Sequence, residues 1–83
     1  MPKFYFHTKM NDELLPDSEG DELPDTDHAI KEAIMAAREI LADAIRAGKE
    51  PLIEAIVIAD GRGQQIGVVP LAEVLPKRLF KSH

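Results

Sequence analysis

The chain opens with an alternation of two kinds of side chain, which predicts a β-strand over residues 3–9. One set is Phe4, Phe6 and Thr8, and the other is Tyr5, His7 and Lys9. Successive side chains of a strand point to opposite faces of the sheet. We therefore expect a strand with a phenylalanine face and a second face that carries Tyr5 and His7.

A helical periodicity follows over residues 26–47. Its apolar stripe recurs with i, i+3, i+4, i+7 spacing and consists of Ile30, Ala33, Ile34, Ala37, Leu41, Ala44 and Ile45. Asp25 or Thr26 can cap the first turn, and Gly48 supplies a left-handed stop. The pattern predicts one amphipathic helix, with Ile34 and Leu41 buried at the centre of the stripe.

Two further apolar segments predict a β-hairpin. Residues 53–59 form a β-branched apolar run, residues 60–63 read Asp-Gly-Arg-Gly, and residues 65–69 return as a second strand. A short edge strand is predicted near residues 13–15. The predicted fold class is α+β: a small, mainly antiparallel sheet of three to four strands with one long helix on one face. We expect a single domain over residues 1–75 and a basic tail over 76–83.

The helix can cover only one face of this sheet. The covered face is predicted to hold Phe4, Phe6, Ile56, Ile58, Ile66 and Val68, which leaves Tyr5, His7, Val57 and Val69 on the other. Soluble monomers seldom leave such an apolar patch uncovered. Either a second copy covers it, or the segment 71–80 folds back through Leu71, Val74, Leu75 and Phe80. The predicted contact surface is Tyr5, His7, Val57 and Val69, with Leu79 and Phe80 of the tail. Pro70 and Pro76 restrict the fold-back, which favours a homodimer.

Composition narrows the class of protein. The chain has 83 residues and no cysteine, which excludes disulfides and thiolate sites and favours the cytoplasm. No apolar run is long enough for a membrane span. The net charge of −5 argues against a nucleic-acid partner, because phosphates repel an acidic surface.

Candidate catalytic and metal residues are few. Eight acids and no base lie between Lys9 and Lys31, but their spacing does not fit a calcium-binding EF-hand loop. His7 and His28 are not linked by any motif spacing, and the Asp-Gly-Arg-Gly turn lacks the Lys-Ser/Thr of a phosphate-binding P-loop. We therefore predict no catalytic residue, no metal site and no cofactor, and weak cation binding by the acidic loop stays open.

Four segments together resemble a small bacterial family of domains of unknown function. They are Pro-Lys-Phe-Tyr-Phe-His at 2–7, Asp-Ser-Glu-Gly at 17–20, Glu-Leu-Pro-Asp at 22–25 and Ala-Ala-Arg-Glu-Ile-Leu-Ala at 36–42. The resemblance implies a fold and a bacterial origin, and it transfers no catalytic residue. The Leu-Pro-Asp helix start is also loosely similar to HicB-type antitoxins, which bind a toxin partner.

These observations predict a non-catalytic protein-interaction or regulatory module of a bacterial cytoplasm. Its partner is another protein or a second copy of the chain. The alternative is an antitoxin-like accessory protein that neutralises a small toxin or enzyme.

Overall fold

The computed structural model describes residues 1–74. The elements are, in chain order, β1 (Lys3–Met10), β2 (Glu13–Leu15), β3 (Asp21–Glu22), α1 (Thr26–Ala47), β4 (Ile53–Ala59), β5 (Gln65–Pro70) and a 3₁₀ turn (Leu71–Val74). All strand pairs are antiparallel, in the order β2-β1-β4-β5, and β3 also pairs with β1. The predicted α+β fold class is confirmed, with β3 as a fifth strand.

The helix begins and ends where its capping residues predict. The Asp25 carboxylate accepts a hydrogen bond from the backbone N–H of His28 at 2.9 Å. At the other end, Gly48 has φ +67° and its N–H bonds back to the last turn of the helix. An L-residue with a Cβ adopts this conformation only with strain, so Gly48 ends the helix.

Small residues form the line along which the helix meets the sheet. Ala29, Ala33 and Ala37 are completely buried, whereas Ile34 and Leu41 are half-buried beside them. The expectation that Ile34 and Leu41 are buried at the centre of the stripe is therefore wrong. Alanine lets the helix approach the sheet closely, and the larger side chains then flank the line of contact.

The core lies between the helix and the middle of the sheet. It contains Phe4, Ile56, Ile58, Val69 and Leu71 together with the three buried alanines. The helix contacts β4, β5 and the 3₁₀ turn. Because the helix lies over β4 and β5, Phe6 on β1 is only half-buried.

A β-bulge reverses the predicted faces of Val68 and Val69. Ile58 pairs with Gly67, but Ala59 pairs with Gln65, so Ile66 is an extra residue on β5. Val69 consequently lies opposite Ile56 and is 8% exposed within the core. The placement of Val69 on the uncovered face, and of Val68 on the covered face, is wrong. Strict alternation cannot anticipate the extra residue.

The segment after β5 packs on the helix side of the sheet. Leu71 is buried in the core and Val74 packs against it. The alternative to the homodimer, a flap over the uncovered face, is therefore wrong for these two residues. Leu75, Leu79, Phe80 and the predicted boundary at residue 75 lie outside the described residues. Within residues 1–74, no helix is long and apolar enough to cross a membrane.

Candidate interaction surface

The face of the sheet opposite the helix is called the open face here. It carries Tyr5, His7 and Lys9 of β1, Ala55, Val57 and Ala59 of β4, and Gln65 and Val68 of β5. Within residues 1–74, α1 and the 3₁₀ turn both pack against the other side. Tyr5, His7 and Val57 thus share one face, as the strand pattern predicts.

The side chains of the open face differ in accessibility. Val57 is 8% exposed, and its neighbours Ala55 and Ala59 on the central strand are also buried. Val68, which pairs with Val57, is 44% exposed. Leu14 lies opposite Lys9 at the margin and is 50% exposed. Val68 and Leu14 therefore provide the accessible apolar surface, whereas Val57 contributes little to it.

His7 is fixed by a contact with the acidic loop. Its Nδ1 accepts a hydrogen bond from the backbone N–H of Asp17 at 2.9 Å. A ring nitrogen that accepts a hydrogen bond carries no proton, so the neutral ring holds its proton on Nε2. The ring also stacks beside that of Tyr5, with centroids 6.4 Å apart and planes 19° from parallel.

Asp17 connects the same loop to β1 through its carboxylate. Oδ2 accepts from the N–H of Phe6 at 3.1 Å, and Oδ1 accepts from Glu19 and Gly20 at 3.1 and 3.2 Å. Partial burial alone would raise the pKa of Asp17, but the three backbone N–H donors hold that pKa below its ordinary value of 3.8. We call the four hydrogen bonds that Asp17 makes with Phe6, His7, Glu19 and Gly20 the Asp17 clasp.

Sequence reasoning missed the Asp17 clasp. Asp17 lies ten residues from His7, and no periodic pattern links a loop residue to a strand at that separation. The Asp-Ser-Glu-Gly segment nevertheless carries a signal, because an aspartate often accepts from the backbone N–H two or three residues later. That signal predicts the local turn but not its attachment to β1.

One end of the open face forms a cavity of about 370 Å³ beside the β4–β5 turn. Tyr5, His7 and Asp17 line one side, and residues 59–63 line the other. The Asp60 carboxylate accepts from the N–H groups of Arg62 and Gln64 at 2.9 and 3.0 Å. Both carboxylates at this cavity are therefore engaged by the backbone, and residues 60–63 form the predicted turn.

Residues 3–72 match the family described as Domain of unknown function (DUF6894). The chain belongs to this family. The match runs from the start of β1 into the 3₁₀ turn, so it spans every strand and the long helix. No curated protein and no solved structure matches the chain.

In this DUF6894 chain the two histidines within residues 1–74 have separate partners. His7 contacts Asp17, whereas Nδ1 of His28 lies 2.8 Å from the capping carboxylate of Asp25. Within residues 1–74, no group of three or more His, Asp or Glu side chains is placed to hold a metal ion. Two predicted contact residues, Leu79 and Phe80, lie outside the described residues.

Proposed function

We propose that this DUF6894 chain is a non-catalytic protein-interaction module of the cytoplasm that uses the open face to bind a second copy of itself. The observation that carries the proposal is the exposure of Val68 and Leu14 on a sheet face that α1 leaves uncovered. Burial of such side chains stabilises association by about 25 cal/mol per Å² of apolar surface before the costs of binding. The cysteine-free composition supports the cytoplasmic location.

The shape of the open face suits a second sheet. Its central strand presents only Ala55, Val57 and Ala59, which are small, so another sheet can approach to about 10 Å. A Lys9–Glu54 ion pair of 3.6 Å lies near one end of the face, and Asp60 and Arg62 lie at the other. Each end carries both signs of charge, so two copies related by a two-fold axis can pair these groups without like-charge contacts.

The contacts of His7 and Asp17 support the non-catalytic part of the proposal. A general base needs a free lone pair within reach of its substrate. The Nδ1 lone pair of His7 is already used by a backbone N–H, and the Asp17 carboxylate accepts three such bonds. Both groups act as structural acceptors.

A charge placed on the open face tests the homodimer. Val68→Lys adds a cation at an exposed position of β5, and Ile45→Lys, at a position 66% exposed on the helix, is the matched control. In light scattering, the wild type and Ile45→Lys should have twice the 9.2 kDa chain mass, and Val68→Lys should have the chain mass alone. Circular dichroism should be unchanged in all three. A wild type that stays monomeric at every concentration, or a dimeric Val68→Lys, would contradict the proposal.

A further inference from the structure

A second surface lies on the helix side of the sheet. Because α1 contacts β4, β5 and the 3₁₀ turn, it is displaced from β1, and a groove of about 440 Å³ opens between the helix and the acidic loop. Its lining residues are Phe6, Asp17, Asp21, Glu32, Met35, Ala36 and Glu39. The floor of this groove lies on the other side of the sheet from the open face, since Phe6 points away from Tyr5 and His7. Asp17, at the edge of the sheet, lines both the groove and the cavity at the end of the open face.

The floor of the groove is apolar and accessible. Phe6 is half-buried. Met35 is 55% exposed, although the exposed positions of an amphipathic helix are usually polar. Met35 lies outside the apolar stripe that packs on the sheet, so its position is not explained by the core. A flexible thioether side chain next to an aromatic ring adapts readily to apolar side chains of different shapes.

The rim of the groove is entirely acidic. Asp17 and Asp21 lie on the loop side, and Glu32 and Glu39 lie on the helix side. The two glutamates are seven residues apart, which places them two turns apart on the same side of the helix. Lys31 and Arg38 precede them in sequence, but neither lines the groove. An apolar floor with carboxylates on both sides is complementary to an apolar side chain flanked by cations.

We propose that this groove binds a basic amphipathic peptide segment of a partner protein. A large apolar side chain of the peptide packs against Phe6 and Met35, and flanking Lys or Arg side chains approach Asp21, Glu32 and Glu39. The interaction is independent of the self-association through the open face. Charge selects the peptide, because the chain has a net charge of −5 and no Lys or Arg of residues 1–74 lines the groove.

Fluorescence anisotropy with a defined peptide tests the proposal on the full chain. The probe is a fluorescein-labelled peptide with Leu-Phe between two Lys-Lys pairs. One control peptide replaces every Lys with Glu, and the other replaces Leu-Phe with Ser-Ser. We expect the probe to bind saturably and neither control peptide to do so. Binding should weaken when NaCl rises from about 0.01 M to about 1 M, because the screening length falls from about 30 Å to about 3 Å.

Variants of exposed helix residues locate the site. Glu32→Lys and Glu39→Lys should each weaken binding about threefold to tenfold, as expected for the loss of one exposed charge pair together with new repulsion. Met35→Ala should weaken it by a similar factor through lost apolar contact and should leave the salt dependence unchanged. Glu50→Lys makes the same charge change at an exposed residue after the helix and should bind as the wild type does.

Three results would overturn the proposal. The first is the absence of saturable binding, and the second is equal weakening by Glu50→Lys and Glu32→Lys, which would indicate only a general charge effect. The third is that Glu32→Lys abolishes self-association of the full chain. The chain's own Lys77, Arg78, Leu79 and Lys81 have the chemistry that the groove favours, so that result would assign the groove to a second copy. Val68→Lys should leave peptide binding unchanged, which separates this proposal from the homodimer.

Discussion

Asp17 is the residue that attaches the acidic loop to the sheet. Between its pairings with β3 and β2, strand β1 directs the N–H of Phe6 to the Asp17 carboxylate instead of to a neighbouring strand. A buried backbone donor without a partner is costly, so a side-chain acceptor at this point stabilises the edge of β1. The same residue orients His7 through its own backbone N–H.

Removal of the Asp17 carboxylate should destabilise the fold. Asp17→Ala should cost about 1–3 kcal/mol near neutral pH, because it leaves the N–H donors of the clasp without their charged acceptor. The pKa of Asp17 is lowered in the folded state, so its contribution is complete above the ordinary value of 3.8 and is lost as pH falls through the lower folded value.

Urea unfolding at several pH values measures this effect. The difference between the wild type and Asp17→Ala should shrink as the pH falls below 3.8. Glu19→Ala changes an exposed residue of the same loop and should stay within about 0.5 kcal/mol of the wild type. A constant difference at all pH values would indicate that the carboxylate contributes without its charge.

Gly20 completes the clasp at a position that a larger residue cannot occupy. Its φ is +71°, and a Cβ there would lie 2.9 Å from both the Phe4 carbonyl oxygen and the Tyr5 ring. Gly63 has φ +81° with nothing within 4 Å of its Cβ position. Gly63→Ala should therefore cost about 1 kcal/mol for the left-handed backbone alone, and Gly20→Ala should cost more because the backbone must also move.

Thermal unfolding of these two variants separates steric contact from backbone conformation. Gly20→Ala should have a melting temperature clearly below that of Gly63→Ala. Equal melting temperatures would mean that the loop moves freely away from β1. In that case the Asp17 clasp would contribute little to the fold.

At the scale of elements, the helix could be predicted from the sequence, but the faces to which the side chains of strand β5 point could not. Asp25, Gly48 and the apolar spacing determine the helix through contacts within a few residues, and those contacts are visible in the sequence. The faces of Val68 and Val69 depend on the bulge at Ile66, which forms only when β4 and β5 pair. A single inserted residue reverses every later side chain, so alternation fails at that point.

Because the helix packs closely on the sheet through alanines, we expect a larger side chain at one of these positions to destabilise the fold. Ala33 is completely buried against the sheet, so Ala33→Leu should force the helix away and destabilise the fold by about 1–3 kcal/mol. Ala47→Leu adds the same atoms at an exposed position at the end of the helix and should change stability by less than about 0.5 kcal/mol. Chemical denaturation of both variants provides the measurement, and a neutral Ala33→Leu would contradict the close contact.

At the scale of the whole molecule, the packing of α1 on one side of the sheet produces two different surfaces among residues 1–74. The open face combines small and β-branched side chains, whereas the groove beside α1 combines an apolar floor with carboxylates. The sequence predicts the first surface, because alternation along β1 and β4 places Tyr5, His7 and Val57 together. It does not predict the second, because the groove depends on how far the helix is displaced from β1.

Amide hydrogen exchange measures how stability is distributed over this sheet. Strand β4 has a paired strand on each side, and its residues 55–59 are buried, so the amides of Ile56, Val57 and Ile58 should exchange most slowly. The short strands β2 and β3 are exposed along their length and should exchange fastest among the strands. Within residues 1–74 the outer edge of β5 has no paired strand, and a face-to-face homodimer leaves it so. Its outward amides should therefore exchange readily while β4 is protected. Protection of every β5 amide at dimer-forming concentrations would instead mean that two copies pair edge to edge.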